Sequence, residues 1–276
     1  MTVSIEFTVA ETGKDHWVAD LWELGSTGIQ ESEVAGGRTW LRAFFDEPLP
    51  EALDSIVQRT GARLVRHADK DWVAESRSMW TPFTVGKRFF LVPDWMDEPA
   101  PEGRIRIAFN PGLACGTGAH EATQLCFEAL ERYLRPGARV LDAGCGSGIL
   151  SIAAFLLGAS LVEGYDLDPM AVQIARNNLA RVGVAGDVHL ASAGDAPSGS
   201  FDLAFCNISP QADIELAPQI HRALAPGGIA VLSGFESFEV AEVLGALAAL
   251  GYTVIEDCQK GNWCSVVYGK PAAGAG

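Results

Sequence analysis

Strict alternation of apolar and polar side chains opens the chain. Val3, Ile5, Phe7 and Val9 fall on one face and Ser4, Glu6 and Thr8 on the other, the pattern of a half-buried β-strand. Trp17, Leu21 and Leu24 then recur at helical spacing. Two strand-like runs follow, at Gly28 to Val34 and Thr39 to Phe45, with Gly36-Gly37 as the turn between them. A second helix is read from Pro50 through the stripe Leu53, Ile56 and Val57 to a stop at Gly61, and Arg63 to His67 reads as a closing strand. The order βαββαβ predicts a small α+β domain of ferredoxin-like type over residues 1–68.

The periodicity breaks over residues 69–104, where Trp72, Trp80 and Trp95 are interleaved with Pro82, Pro93, Pro99 and Pro101; that composition predicts an ordered, irregular connector. Over residues 105–276 strand and helix patterns alternate, which predicts a parallel sheet covered by helices. Strands are expected at 140–143, 161–166, 187–190, 202–207, 229–233, 252–257 and 264–268. Only Gln259 to Trp263 separates the last two, too little for a crossover helix, so they should pair antiparallel. The expected fold is α/β: a Rossmann-like seven-stranded domain behind the ferredoxin-like one.

Composition narrows the class. An apolar content of 48% over 276 residues is ample for two packed cores. A formal charge of −15 argues against an extended nucleic-acid surface and suits a basic protein or a cationic small molecule. No apolar run approaches the roughly 18 to 20 residues that cross a bilayer, and the N-terminus lacks a basic segment followed by an apolar one, so a cytoplasmic protein with no membrane contact is expected. The six cysteines show no metal-ligand spacing and read as buried free thiols, with no metal site. Trp17, Trp22 and Trp40 are read as core residues in preference to a substrate surface.

The candidate chemistry starts at Arg139-Val-Leu-Asp-Ala-Gly-Cys-Gly-Ser-Gly148: an apolar strand, an acid at its end, then glycines at 144, 146 and 148 opening a helix. Glycines permit positive φ and close backbone approach, so a flat ligand can lie across such a turn. The dinucleotide pattern G-x-G-x-x-G fails, because position 149 is isoleucine, and Asp142 would sit badly against a pyrophosphate. S-adenosylmethionine, with its cationic amino group and sulfonium, suits that acid better. Asp166 ends the next strand 22 residues after Gly144, where a carboxylate can accept bonds from both ribose hydroxyls. A helix N-cap is the plainer role there, but Asp168, just before Pro169, is better placed for it. Asp195 falls where such folds hold an adenine edge, and is an adenine contact or ordinary loop in equal measure.

With these residues in hand, the chain resembles the ribosomal protein L-eleven methyltransferases, class I S-adenosylmethionine-dependent enzymes that methylate amino groups of that large-subunit protein. The resemblance rests on Asn110 to Thr123, with its Gly116-Thr117-Gly118 and His120, on LDAGCGSGILSIAA at 141 to 154 and on YDLDPMAV at 165 to 172. It continues through Asn207-Ile208, PGG at 226 to 228, Ser233-Gly234 and Trp263-Cys264. The family usually has threonine in place of Ala119, proline in place of Glu121 and Leu-Ala in place of Ser209-Pro210; these departures leave the cofactor positions intact and bear on the acceptor. The resemblance implies that Thr117, Gly118 and neighbouring backbone close over the methionine end of the cofactor. It also implies that Asn207 sits beside the transferable methyl and that the N-terminal domain holds a basic ribosomal protein.

The chemistry asks little beyond alignment, because the sulfonium is already an activated leaving group. A lysine amine with pKa near 10.4 is neutral in roughly one molecule in 2,500 at pH 7, about 4.6 kcal/mol against reaction, and desolvation lowers that cost. Asn207 is the expected catalytic residue, since an amide oxygen accepts a hydrogen bond from the amine, whereas a carboxylate would favour the unreactive ammonium. His120 is read as an anchor, because a neutral amine needs no base. The rival readings are methylation of another protein lysine or a small amine, a cofactor-binding module without turnover, and a nicotinamide oxidoreductase.

Overall fold

The computed structural model describes residues 2–50, 52–66, 77–110 and 118–273. Two compact units divide between Trp80 and Thr81. The first contains β1 (Thr2–Ala10), α1 (Lys14–Glu23), β2 (Gly28–Val34), β3 (Arg38–Asp46), α2 (Leu53–Thr60) and β4 (Arg63–Arg66). Its sheet runs β2-β3-β1-β4 with every neighbour antiparallel, the ferredoxin-like arrangement that the βαββαβ order implies. The alternation in β1 buries Val3, Ile5, Phe7 and Val9, which meet Leu41, Ala43 and Phe45 of β3 and the apolar stripe of α2.

The tryptophans of this unit correct the expectation that all three are core. Trp17 packs against the core, edge-on to Phe7, but Trp22 is 52% exposed and Trp40 is half-buried under the Arg42 guanidinium. The β3 alternation explains Trp40: its neighbours Leu41, Ala43 and Phe45 own the inner face, which turns position 40 outward.

The second unit begins with strands where an irregular connector was expected. β5 (Phe83–Val85) pairs antiparallel with β6 (Phe89–Pro93), which pairs parallel with β7 (Ile105–Phe109). β6 is buried at all five positions, so it carries no alternation by which a strand could be recognised.

The large sheet is built from β8 (Arg139–Ala143), β9 (Leu161–Asp166), β10 (Gly186–Leu190), β11 (Phe201–Asn207), β12 (Leu224–Glu236), β13 (Thr253–Lys260) and β14 (Trp263–Gly269). Its order is β10-β9-β8-β11-β12-β14-β13, and only β14 runs against the rest. The expected antiparallel pair at the end is therefore present, with β14 inserted between β12 and β13. Around the sheet lie α3 (Glu121–Tyr133), α4 (Ile149–Leu156), α5 (Pro169–Val182), α6 (Pro210–Ala223) and α7 (Val240–Ala249). Strand order reverses between β8 and β11, which opens a crevice beyond their carboxyl ends. Among the described residues, no helix is long and apolar enough to cross a membrane.

Candidate active site

The crevice is built on the turn between β8 and α4. Gly144, Gly146 and Gly148 all have positive φ, at 69°, 53° and 75°. At Gly148 a Cβ would stand 2.6 Å from Leu179 and 3.2 Å from the Ala175 side chain, so glycine there lets α4 and α5 approach. At Gly144 a Cβ would stand 2.5 Å from the Ile208 side chain, which lies across the turn.

Two cavities flank that contact. The larger, about 730 Å³, is lined by Tyr165, Asp166, Leu167 and Met170 on one side and by Ser192, Ala193, Ala212 and Leu216 on the other. The smaller, about 460 Å³, is lined by His120, Thr123, Asp142, Leu150, Gly234 and Trp263. Gly144, Gly146, Asn207 and Ile208 belong to both. The His120 and Trp263 rings meet edge-on, 4.2 Å apart, on the wall of the smaller cavity.

Asp166 is half-buried at the end of β9 and already orders the turn. Its Oδ2 accepts from Gly146 N at 2.9 Å and its Oδ1 from Asp168 N at 3.0 Å. An ionised carboxylate has roughly four acceptor sites, so each oxygen keeps a lone pair for a ligand hydroxyl. Asp168 is the N-cap of α5, accepting from Met170 N at 2.8 Å ahead of Pro169, as its place in the sequence suggests.

Asp142 is 3% exposed at the end of β8. Its Oδ2 accepts from the Ser151 hydroxyl at 2.6 Å and from Ser151 N at 3.1 Å. Burial pushes its pKa up to about 6 against the pull of these two bonds, and the nearby Asp166 charge pushes the same way. A cation placed in the smaller cavity would reverse that push.

Asn207 ends β11 where the cavities meet. Its Nδ2 donates to the Thr123 hydroxyl on α3 at 3.2 Å. Ser233 holds α3 in register from below, its hydroxyl within bonding distance of Ala122 O and Cys264 O. Gly234, at φ 96°, leaves room for the turn: a Cβ there would stand 3.2 Å from Asn207 Oδ1 and 3.0 Å from Ile208 N. Ser209 caps α6 by accepting from Ala212 N at 3.3 Å, with Pro210 in the first helical turn.

The structure thus brings Asp142, Gly144, Gly146, Asp166 and Asn207 to one crevice. Gly118 is buried beside it, where a Cβ would stand 2.2 Å from Leu91 and 3.2 Å from Ile149, so it packs against side chains without lining either cavity. Thr117 lies outside the described residues. Asp195 ends a short 3-10 turn, is exposed and is off the lining, whereas Ser192 and Ala193 just before it line the larger cavity. Sequence reasoning missed Ser151, Thr123 and Ile208. A single serine in the apolar run Ile149 to Leu156 was the available signal for the first; the other two act through contacts between distant segments.

The arrangement fits an elongated ligand with a ribose and a cationic end. The larger cavity offers apolar walls around one ribose-ready carboxylate, and the smaller holds a buried acid, with volumes in the usual range for small-molecule sites.

Comparison with known proteins agrees. Residues 44–271 match the family described as Ribosomal protein L11 methyltransferase (PrmA). The ribosomal protein L11 methyltransferase of Pelotomaculum thermopropionicum is 38% identical over 82% of this chain and 72% of its own. That of Gloeobacter violaceus is 33% identical over 95% of this chain and 87% of its own. The crystal structure of ribosomal protein L11 methylase from Lactobacillus delbrueckii subsp. bulgaricus superposes with a TM-score of 0.65 at 29% identity, covering 70% of this chain and all of that one. On this match of sequence, sheet order and crevice, the chain belongs to the ribosomal protein L11 methyltransferase family.

Proposed function

We propose that this protein methylates amino groups of ribosomal protein L11, lysine side chains and the N-terminal amine, with S-adenosylmethionine as donor. The carrying observation is Asn207, whose side chain stands where the two cavities join and is held by Thr123. In the crevice, S-adenosylmethionine supplies a methyl group on a sulfonium that leaves without further activation.

The chain's own residues do the rest. Asp166 receives the ribose hydroxyls, and the backbone of Gly144 and Gly146 lets the ligand lie close. Asp142 supplies negative charge toward the amino group, and Ser192 and Ala193 border the base. With Nδ2 bonded to Thr123, the Asn207 Oδ1 is the atom that accepts from the acceptor amine and turns its lone pair toward the methyl. Gly118 packs against Leu91 and Ile149 beside the crevice, and the family resemblance assigns Thr117 and Gly118 to the methionine end of the cofactor. His120 keeps an anchoring role, held against Trp263. The ferredoxin-like unit, residues 1–68 on this reading, recognises the basic protein substrate, to which the net charge of −15 on the whole chain is complementary. The enzyme works in the cytoplasm, with its ribosomal substrate.

Unmethylated L11 incubated with enzyme and S-adenosylmethionine should gain mass in whole methyl steps. The rate should climb with pH as the amines lose protons. Donor binding without any gain of mass on L11 would overturn the choice of acceptor. For Asn207→Ala we expect kcat to fall about 100-fold with the KM for S-adenosylmethionine nearly unchanged.

A further inference from the structure

The mouth of the smaller cavity carries side chains that the chemistry above leaves unused. Three segments meet there. His120 and Glu121 open α3, and the His120 ring meets Trp263 edge-on. The Glu121 side chain lies against the turn between β13 and β14, where a Cβ on Gly261 would stand 3.8 Å from Glu121 Cγ. Glu236, the last residue of β12, pairs with Trp263, and Ser237 after it donates its N–H to Asn262 O at 2.8 Å. Phe238 follows at once and is 76% exposed. A lone exposed phenylalanine needs no explanation, but Trp263 and the exposed Ile208 border the same cavity. Together they form an apolar lip, and a ring so exposed contributes little to folding.

Charge on this rim is one-sided. α3 and the strands β12 to β14 carry two Lys or Arg residues between them, and both are engaged. Lys260 Nζ bonds Glu128 Oε1 at 2.6 Å, and Arg132 Nη1 lies 3.0 Å from Glu256 Oε1. Glu239 is occupied as well, its Oε2 accepting from Glu236 N at 2.8 Å. Among the described residues, no cation pairs with the carboxylate of Glu121 or of Glu236.

We propose that this rim docks the segment of the acceptor protein that carries the amine: a basic stretch of chain with an apolar side chain on Phe238 and its flanking cations facing Glu121 and Glu236. The proposal rests on reading the crevice as a site of amine methylation. On that reading the nucleoside end of the donor fills the larger cavity and its amino-acid end approaches Asp142, so the acceptor reaches Asn207 past the wall made by His120 and Trp263. A phosphate-bearing partner would meet two unneutralised carboxylates at that point, whereas a basic polypeptide gains from both. The exposed ring supplies the apolar anchor that a charged rim alone lacks.

The test is steady-state methylation of unmethylated L11 at saturating S-adenosylmethionine by wild type, Phe238→Ser and the double variant Glu121→Gln/Glu236→Gln. All three side chains lie on the surface rim, so melting temperatures should stay within about 2 °C of wild type. For Phe238→Ser we expect the KM for L11 to rise about tenfold while kcat and the KM for S-adenosylmethionine stay within about twofold. The glutamine pair should raise the KM for L11 about fivefold at about 50 mM salt and hardly at all at about 500 mM, where exposed charges are screened. The Phe238→Ser penalty should persist at both. A wild-type KM for L11 in Phe238→Ser, or a salt dependence in the glutamine pair equal to that of wild type, would overturn the proposal. Failure of the underlying reading shows separately and first, as wild-type enzyme that adds no methyl mass to L11, and would take the proposal with it.

Discussion

Asp142 and Asp166 end adjacent parallel strands beside the same glycine turn, yet they face different surroundings. Asp142 pairs across the sheet with Gly164 and looks onto α4, whose residues 149 to 154 are all buried, so its carboxyl is shut away and its main partner is Ser151. Asp166 looks onto the larger cavity, where both its oxygens take backbone N–H groups and stay open to a ligand. The same residue type at equivalent points of consecutive βα units thus divides the labour. One acid supplies charge from behind the turn, and the other supplies hydrogen-bond geometry at its mouth.

The division can be broken most severely at Asp166. Asp166→Ala releases the Gly146 and Asp168 amides and removes the acceptor proposed for both ribose hydroxyls. At about 1.5 kcal/mol for each charge-assisted bond, S-adenosylmethionine should bind about 100-fold more weakly by calorimetry, with the fold retained. Unchanged affinity would remove the ribose assignment.

At Asp142 the effect should be smaller and of a different kind. Asp142→Asn keeps an acceptor for Ser151 and loses only charge, so affinity should drop about tenfold at pH 7 to 8. Wild-type affinity should itself weaken as pH falls through about 6 and the carboxyl takes a proton, while the asparagine variant follows no such slope. The stability effect has the opposite sense. A folded pKa of about 6 against about 4 unfolded means that the folded state holds the extra proton between those values, so stability declines as pH rises through that window. Melting temperatures across that pH range should fall less steeply for Asp142→Asn. Identical slopes for the two proteins would mean that the carboxyl titrates normally.

Much of this pair was legible in the sequence, because acids at strand ends and glycines in a turn act through local backbone geometry. The strands of the large sheet were legible for a related reason, β8, β11, β12 and β14 carrying apolar runs bounded by turn residues and β13 alternating between its two faces. What stayed hidden depends on contacts between remote segments. Asp213 falls on an ordinary amphipathic helix, and nothing in its neighbours along the chain says that it turns inward and is fully buried. Ile208 reads as a loop residue until the close approach of Gly144 is seen. β5 and β6 were obscured by the tryptophans and prolines around them and by burial that erased alternation.

The mildest perturbation falls on the partition between the two sides. Ile208 is 44% exposed, so Ile208→Ala should cost little stability, yet it would join the cavities above Gly144. We expect S-adenosylmethionine affinity to change by about threefold or less, since no polar partner is lost. Its informative use is in a cycle with Gly144→Ala. Alanine at 144 suffers twice, from a backbone at φ 69° and from a side chain 2.5 Å away at Ile208. Removing Ile208 relieves the second penalty and leaves the first. The double variant should therefore be more stable than the sum of the two single effects allows, with a coupling of about 1 kcal/mol. Additive melting free energies across the four proteins would show that Ile208 does not rest on the turn, and the division of the crevice into a ribose side and a charge side would lose its wall.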